Sequence, residues 1–270
     1  MIPFEFSYHR PDSVAEAVRT FRRLDAEGCA PLYYGGGTEI ITLARQDQLR
    51  TGAVVDLKGV PECRALERSD GRLLLGAGLS LAEVGERGGW PLMAAVAGRA
   101  ADHTVRCQIT LGGNLAGSIP YREAVLPLLL TDSVAVIGSE GGLRREPLAD
   151  VFAGSLRLQP GEFLAQIEVP LDQTSGPHFA AKKTRLDWID YPLLTVAAIR
   201  QGDRIRVAFS GLCGFPFHDR AMDEALSADR IDEAIAHIPG PVVDDLHGSA
   251  DYRRFMLANT LSDALEVLRG

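Results

Sequence analysis

Two glycine-rich turns constrain the fold and function of this chain more than any other feature of its sequence. The first spans residues 34–39 (YGGGTE) and the second spans residues 110–115 (TLGGNL). Glycine lacks a Cβ and adopts positive φ readily, so a phosphate can contact the main-chain N–H groups of such a turn. The first turn follows an apolar run at 31–34 and precedes a helical pattern at 38–44. A strand, a turn and a helix start in this order favour anion binding, and two such turns predict a ligand with two ends, such as a dinucleotide.

The residues alone also fit a simpler interpretation of both turns. Gly-Gly pairs commonly mark ordinary turns, and the chain contains 28 glycines. The G-x-G-x-x-G spacing is absent after the first strand, and no G-x-x-x-x-G-K-[ST] segment occurs. At this point the turns therefore fit either a phosphate site or simple chain reversal.

Composition excludes several classes of function. The chain has 270 residues and a net charge of −8, which argues against nucleic acid or an anionic membrane as its main partner. Its four cysteines form no C-x-x-C pair, so the sequence predicts no zinc or iron–sulfur site in this chain. No signal peptide precedes the first helix, and the longest apolar run, 125–130, is too short to span a bilayer. We therefore expect a cytoplasmic protein.

Periodicity divides the chain into two parts. Helical and strand patterns alternate over residues 1–172, which predicts an α+β or α/β domain. A polar stretch with Gly and Pro at 171–177 predicts a boundary. Strand patterns then precede three helical patterns, which predicts a small sheet with helices packed on one face; the strands are at 178–185, 194–200 and 205–212, and the helices at 220–226, 231–237 and 249–269.

Six segments of the chain occur in the order found in a known family. They are residues 6–11, 35–40, 56–61, 110–120, 182–192 and 245–254. Together they resemble the FAD-binding medium subunit of molybdenum hydroxylases, the flavoprotein of the xanthine dehydrogenase and carbon monoxide dehydrogenase family. The resemblance covers nearly the whole chain. It implies an α+β fold: a PCMH-type (vanillyl-alcohol-oxidase-like) FAD-binding domain of two subdomains at 1–172, and a CO dehydrogenase flavoprotein C-terminal domain at 177–270, an antiparallel sheet with a helical layer.

The resemblance also implies which residues meet FAD. In the family, backbone amides of the first turn wrap the pyrophosphate and the second turn approaches the cofactor closely. Carried onto this chain, those positions and their neighbours are Tyr34, Gly35, Gly36, Gly37, Thr38, Glu39, Ile40, Thr110, Gly112, Gly113, Asn114 and Ser118. Glu123 stands in place of the more usual Asp that contacts the adenosine half. The lysine near the flavin pyrimidine end is Lys182 by its spacing to Asp190, with Lys183 as the alternative.

Several of these positions have a structural alternative that the sequence leaves open. Tyr34 fits either stacking on the flavin or filling the core, and Glu39 fits a cap of the following helix. Asn114 fits a left-handed turn residue, and Lys182 and Lys183 fit a solvated strand edge. Trp188 lies where the family often has arginines, and it is a candidate for covering the flavin or for a subunit interface.

The function implied by the resemblance is electron transfer within a larger enzyme. A large subunit would carry molybdopterin, a small subunit would carry [2Fe-2S] clusters, and this chain would pass electrons from FAD to NAD+ or another acceptor. A xanthine dehydrogenase-like α2β2γ2 assembly is implied, with no metal site and no catalytic acid or base in this chain, because the flavin performs the chemistry. The alternatives are a stand-alone FAD-dependent oxidase and a flavin-free assembly protein.

Overall fold

The first part of the fold is a small parallel sheet with one covering helix. The computed structural model describes residues 2–185 and 190–270. The first elements are β1 (Ser7–His9), α1 (Val14–Ala26), β2 (Leu32–Tyr34), α2 (Thr38–Arg45) and β3 (Ala53–Asp56). β3 lies between β1 and β2 and is parallel to both. The carboxyl ends of these strands therefore meet at one edge, where Tyr34 is paired with Asp56.

The second part is an antiparallel sheet that carries most of the N-terminal core. Its elements in chain order are β4 (Leu66–Ser69), β5 (Arg72–Gly76), α3 (Leu81–Arg87), α4 (Pro91–Ala97), α5 (His103–Arg106), α6 (Leu111–Ala116), α7 (Val125–Leu129), β6 (Val134–Ser139), β7 (Gly142–Pro147), α8 (Leu148–Val151) and β8 (Phe163–Pro170). The five strands have the order β4-β5-β8-β6-β7. Leu75, Ile137 and Ile167 are fully buried on the face that packs against the helices.

The third part is an antiparallel sheet of four strands backed by helices. It comprises β9 (His178–Thr184), β10 (Pro192–Gln201), β11 (Arg204–Ser210), β12 (Phe217–His218), α9 (Arg220–Ser227), α10 (Ile231–Ala236) and α11 (Ala250–Arg269), in the strand order β12-β11-β10-β9. Side chains of β10 alternate between two cores, as the two-residue period of a strand requires. Val196 packs with the C-terminal helices, whereas Ala197 packs with the N-terminal core. This shared packing brings one end of β9 and β10 close to both glycine-rich turns.

The predicted α+β fold is confirmed, and one local prediction is wrong. The segment predicted as a second glycine-rich loop is the first turn of α6. Thr110 is its N-cap, and the Thr110 hydroxyl accepts a hydrogen bond of 3.2 Å from Gly113 N. Across residues 2–185 and 190–270, no helix is long and apolar enough to cross a membrane.

Candidate cofactor-binding site

A cavity of about 850 Å³ lies where the N-terminal and C-terminal parts meet. The first glycine-rich turn and the start of α2 form one wall, and α6 with the segment that follows it forms another. Residues 100–105 and the β9–β10 end complete the lining, including Lys182, Asp190 and Tyr191. This volume lies within the range of small-molecule and cofactor sites in proteins.

The first turn presents a row of free backbone donors at this cavity. Gly37 is the N-cap of α2, has φ of 72°, and supplies no side-chain cap. Within the described part of the chain, the N–H groups of residues 36–40 donate to no protein acceptor. Free amides at a helix start carry partial positive charge, so this wall can bind a phosphate without a lysine.

The glycines of the first turn also make close contact with the second segment possible. A Cβ added to Gly36 would lie 1.7 Å from the carbonyl oxygen of Gln108. A Cβ added to Gly35 would lie 2.5 Å from the hydroxyl of Thr110. Glycine is therefore required here because the two walls pack against each other, in addition to any contact with a ligand.

Helix α6 contributes a side-chain amide oxygen without a hydrogen-bond partner among the described residues to the cavity. Asn114 is 8% exposed and lines the cavity, and its Oδ1 has no hydrogen-bond partner among the described residues. Because Asn114 lies inside α6, the alternative of a left-handed turn residue is wrong. Gly112 lies behind the wall and donates its N–H to Ala77 O, so it does not line the cavity. A buried polar atom without a partner indicates a place for a ligand donor.

Glu39 joins the two walls directly. Its carboxylate accepts hydrogen bonds from Ser118 N at 2.9 Å and from the Ser118 hydroxyl at 2.7 Å. Glu39 also lies in the first turn of α2, where a carboxylate interacts favourably with the helix dipole. Its hydrogen bonds show that it connects the first turn to the end of the second segment.

Lys182 and Lys183 lie on opposite faces of β9, as alternation along a strand requires. The Lys182 side chain is 5% exposed, lines the cavity, and donates to Arg99 O at 2.9 Å. The alternative of a solvated strand edge is therefore wrong for Lys182. Lys183 lies 3.8 Å from Asp263 on α11 and does not line the cavity.

Lys182 and Glu123 form a buried pair in the cavity wall. Lys182 Nζ lies 3.8 Å from Glu123 Oε1, and the Glu123 side chain is 6% exposed. Burial raises the pKa of Glu123 and lowers the pKa of Lys182. The resemblance placed Glu123 at the adenosine half and Lys182 at the flavin end. The two groups are neighbours in this structure, and both assignments remain predictions.

Tyr34 is outside the cavity lining and supports the turn from behind. A Cβ added to Gly37 would lie 2.2 Å from the Tyr34 hydroxyl, so the turn wraps closely over this ring. Lys58 Nζ lies 4.7 Å from the ring centroid, within the range of a cation–π contact. The alternative in which Tyr34 packs within the protein fits these contacts, and its side chain remains half-buried.

Some cavity residues were missed from the sequence. The Tyr121 and Tyr191 rings are stacked with centroids 4.9 Å apart at the rim, and Arg122 is buried between cavity and core. Arg122 donates to the carbonyl oxygens of Leu115 and Gly154. Tyr121 and Arg122 directly precede Glu123, and no periodic pattern in the sequence indicated the ring stacking of Tyr121 or the hydrogen bonds of Arg122. Trp188 lies outside the described residues.

A second, larger cavity of about 1250 Å³ lies between α7, α8 and the β11–β12 region. It is lined by Phe152, Phe217, His218 and Asp223 among others, and neither glycine-rich turn reaches it. The smaller cavity alone combines the free amides of residues 36–40 with the unpaired Asn114 oxygen. Its residues therefore fit a dinucleotide with a charged centre and polar ends.

Comparison with known proteins identifies the ligand class. Residues 4–172 match the family described as the FAD binding domain in molybdopterin dehydrogenase. The carbon monoxide dehydrogenase medium chain of Hydrogenophaga pseudoflava is 26% identical over 99% of this chain and 98% of its own length. Subunit alpha of the 6-hydroxypseudooxynicotine dehydrogenase complex of Paenarthrobacter nicotinovorans is 28% identical over 100% and 97%.

Solved structures share the whole fold. Carbon monoxide dehydrogenase from Hydrogenophaga pseudoflava, in a form lacking the Mo-pyranopterin moiety of the molybdenum cofactor, aligns with a TM-score of 0.86 at 24% identity, covering 100% of this chain and 99% of that chain. Quinoline 2-oxidoreductase from Pseudomonas putida 86 aligns with a TM-score of 0.83 at 23% identity, covering 98% of each chain. The family match, which spans more than half of the chain, confirms the resemblance seen in the sequence. This chain belongs to the FAD-binding family of the molybdopterin dehydrogenases, and is the FAD-carrying component of an oxidoreductase of the molybdenum hydroxylase class.

Proposed function

We propose that this chain receives electrons from [2Fe-2S] clusters of a partner subunit and passes them to NAD+ or another acceptor. FAD supplies the redox chemistry when it is bound. The observation that carries the proposal is the row of free amides at residues 36–40 facing a cavity that also contains the buried Asn114 oxygen. A donor row without a basic side chain suits a dianionic pyrophosphate that must be held rather than cleaved.

Each wall of the cavity has a distinct part in this proposal. The amides of residues 36–40 bind the pyrophosphate, while Gly113, Asn114 and Thr110 fix the closely approaching part of the cofactor. Glu39 and Ser118 hold the two walls together. Lys182 places a positive charge in the cavity wall, where it would stabilise the negative charge that develops on a reduced flavin. Glu123 holds Lys182 in place, and Tyr34, Gly112 and Lys183 support the walls from outside.

The names of the relatives suggest the assembly. Proteins called a medium chain and a complex subunit align with this chain along almost their whole length. We propose a xanthine dehydrogenase-like cytoplasmic complex of the α2β2γ2 type, with molybdopterin on a large subunit and [2Fe-2S] clusters on a small one. Residues 1–172 would form the FAD-binding domain and residues 177–270 the C-terminal domain of the family.

Two successive measurements test this proposal. The visible absorption spectrum of the purified chain, with chromatography of the released cofactor, should show one equivalent of FAD. The reduced protein is then mixed with NAD+ without oxygen, and NADH formation is followed by absorbance. NADH formation supports NAD+ as acceptor, and its absence with rapid oxidation by a dye indicates another acceptor.

The alternatives have their own results in these measurements. Rapid reduction of the flavin by a small organic substrate added to the lone chain would favour a stand-alone oxidase. A colourless chain that binds no added FAD would favour an assembly protein. Either result would contradict the electron-transfer proposal.

A further inference from the structure

A side-chain network behind the first glycine-rich turn contacts the backbone of the turn itself. Lys58 Nζ donates to Gly35 O at 2.6 Å and to Asp56 Oδ1 at 2.8 Å. It also lies over the Tyr34 ring. Gly35 lines the cavity formed by the described residues, whereas Lys58, Asp56 and Tyr34 do not. The network therefore acts on the turn from the side away from the ligand.

Asp56 fixes the position of the Lys58 ammonium group. The Asp56 side chain is 3% exposed and accepts hydrogen bonds from Tyr8 Oη at 2.5 Å and Lys58 N at 2.9 Å. Burial alone would raise the pKa of Asp56, but the hydrogen bonds from Lys58 and Tyr8 outweigh it and lower that pKa. A carboxylate held ionised by several donors is a firm counter-charge for Lys58.

The hydrogen bond to Gly35 O determines where the next amide points. In a trans peptide the C=O and the following N–H point in opposite directions. A Gly35 carbonyl directed at Lys58 therefore directs the Gly36 N–H away from Lys58, on the side where Gly35, Gly36 and Gly37 line the cavity. Glycines on both sides of this peptide bond would let it rotate easily if Lys58 did not hold it. A rotated peptide would present a carbonyl oxygen to the phosphate and repel it.

We propose that Lys58, anchored by Asp56, is a positioning residue that holds the Gly35–Gly36 peptide with its N–H toward the pyrophosphate of FAD. This inference rests on the proposed function of the cavity. It goes beyond that function because it assigns cofactor affinity to a residue outside the cavity. Tyr8 takes part indirectly, since its hydroxyl holds Asp56.

The test compares ligands that contain the phosphates with one that lacks them. The full chain is stripped of FAD, and dissociation constants are measured for FAD, ADP and riboflavin by fluorescence titration or calorimetry. Lys58→Met should weaken FAD and ADP binding about 10- to 100-fold, while riboflavin binding stays within about twofold. Lys58→Arg keeps the positive charge, and its guanidinium can still donate to both Gly35 O and Asp56 Oδ1. We therefore expect FAD affinity within about threefold of that of the unaltered chain. Arg230→Met removes an exposed ion pair with Glu233 and serves as the control.

Each outcome decides one point. Equal affinity of Lys58→Met and the unaltered chain for FAD and ADP would overturn the proposal. Equal weakening of all three ligands, or a failure of Lys58→Arg to recover affinity, would also overturn it, because either indicates general distortion. If Lys58→Met does not fold, Tyr8→Phe is used in its place. We expect Tyr8→Phe to bind ADP about threefold more weakly. Unchanged ADP binding by Tyr8→Phe would overturn the proposal. An unaltered chain that binds neither FAD nor ADP would instead overturn the assignment of the cavity.

Discussion

Glu39 and Ser118 lie 79 residues apart in sequence and are joined by hydrogen bonds of 2.7 and 2.9 Å. One residue belongs to the first turn of α2, and the other follows α6. Their contact fixes the distance between the two walls of the cofactor cavity. The walls should therefore depend on each other energetically.

A double-mutant cycle on this pair measures that dependence. Glu39→Ala and Ser118→Ala each remove the hydrogen bond that the Ser118 hydroxyl donates to the Glu39 carboxylate, and we expect a coupling of about 1–2 kcal/mol in the free energy of unfolding. Urea unfolding of the FAD-free chain provides the measurement. Glu27→Ala removes an exposed ion pair with Arg23 and should cost less than about 1 kcal/mol. Strictly additive effects of the two variants would show that the Ser118 hydroxyl does not couple the two walls.

At Gly36 the structure has no space for even a single methyl group. Gly36→Ala would place a Cβ 1.7 Å from Gln108 O, forcing the walls apart at a cost of about 1–3 kcal/mol. We expect Gly36→Ala and Gly36→Val to purify with little FAD, as judged by the ratio of flavin to protein absorbance. Gly141→Ala is the matched control, because a Cβ there meets no atom of residues 2–185 or 190–270 within 4 Å. A full equivalent of FAD in Gly36→Val would refute this assignment of the turn.

Asn114 should contribute to the affinity for FAD and contribute little to the free energy of unfolding. Its buried Oδ1 has no partner in the described structure, so Asn114→Ala removes an unsatisfied group from the FAD-free chain. We expect the free energy of unfolding to change by less than about 1 kcal/mol while FAD binds about tenfold more weakly. Asn259→Ala, on the exposed face of α11, should change neither quantity. Unchanged FAD affinity in Asn114→Ala would show that this amide does not meet the cofactor.

The Lys182–Glu123 pair predicts a pH-dependent effect on stability. The folded-state pKa of Glu123 is raised by burial and partly lowered again by Lys182. A raised carboxyl pKa gives stability that is present below the unfolded value of 4.5 and is lost as pH rises through the folded value. Lys182→Met removes the positive charge that lowers the pKa of Glu123. The free energy of unfolding of this variant should therefore fall more steeply above pH 4.5 than that of the unaltered chain.

Urea unfolding between pH 4.5 and 8 checks this prediction. The double variant Lys182→Met/Glu123→Gln has no carboxyl at this position, and it should not show the steeper fall. Parallel pH profiles for Lys182→Met and the unaltered chain would show that the two groups do not interact.

Local signals predicted many elements of this fold. Ser13 and Ser80 each precede a helix and are of a residue type that favours the N-cap, and both accept hydrogen bonds from backbone N–H groups in the first turn of their helices. The helical pattern predicted at 38–44 agrees with α2 (Thr38–Arg45) to within one residue. In each case the stabilising contact lies within a few residues of the element, so a local pattern contains the information.

Contacts distant in sequence could not be predicted from the same patterns. β1 is a three-residue strand that pairs with β3, and its residues show no alternation of apolar and polar side chains. The hydrogen bonds of Glu39 depend on how α2 and the end of α6 are brought together by packing. The Lys58 network had one usable signal, because Asp56 ends a strand parallel to β2 and must therefore lie near the first turn.

An experimental structure of the chain with FAD bound tests the assignment of the cofactor site most directly. We expect the pyrophosphate oxygens within about 3 Å of the backbone nitrogens of residues 36–40. The Asn114 side chain should then be paired with the cofactor. A pyrophosphate placed away from these amides, for example in the larger cavity beside Phe152, would contradict this assignment.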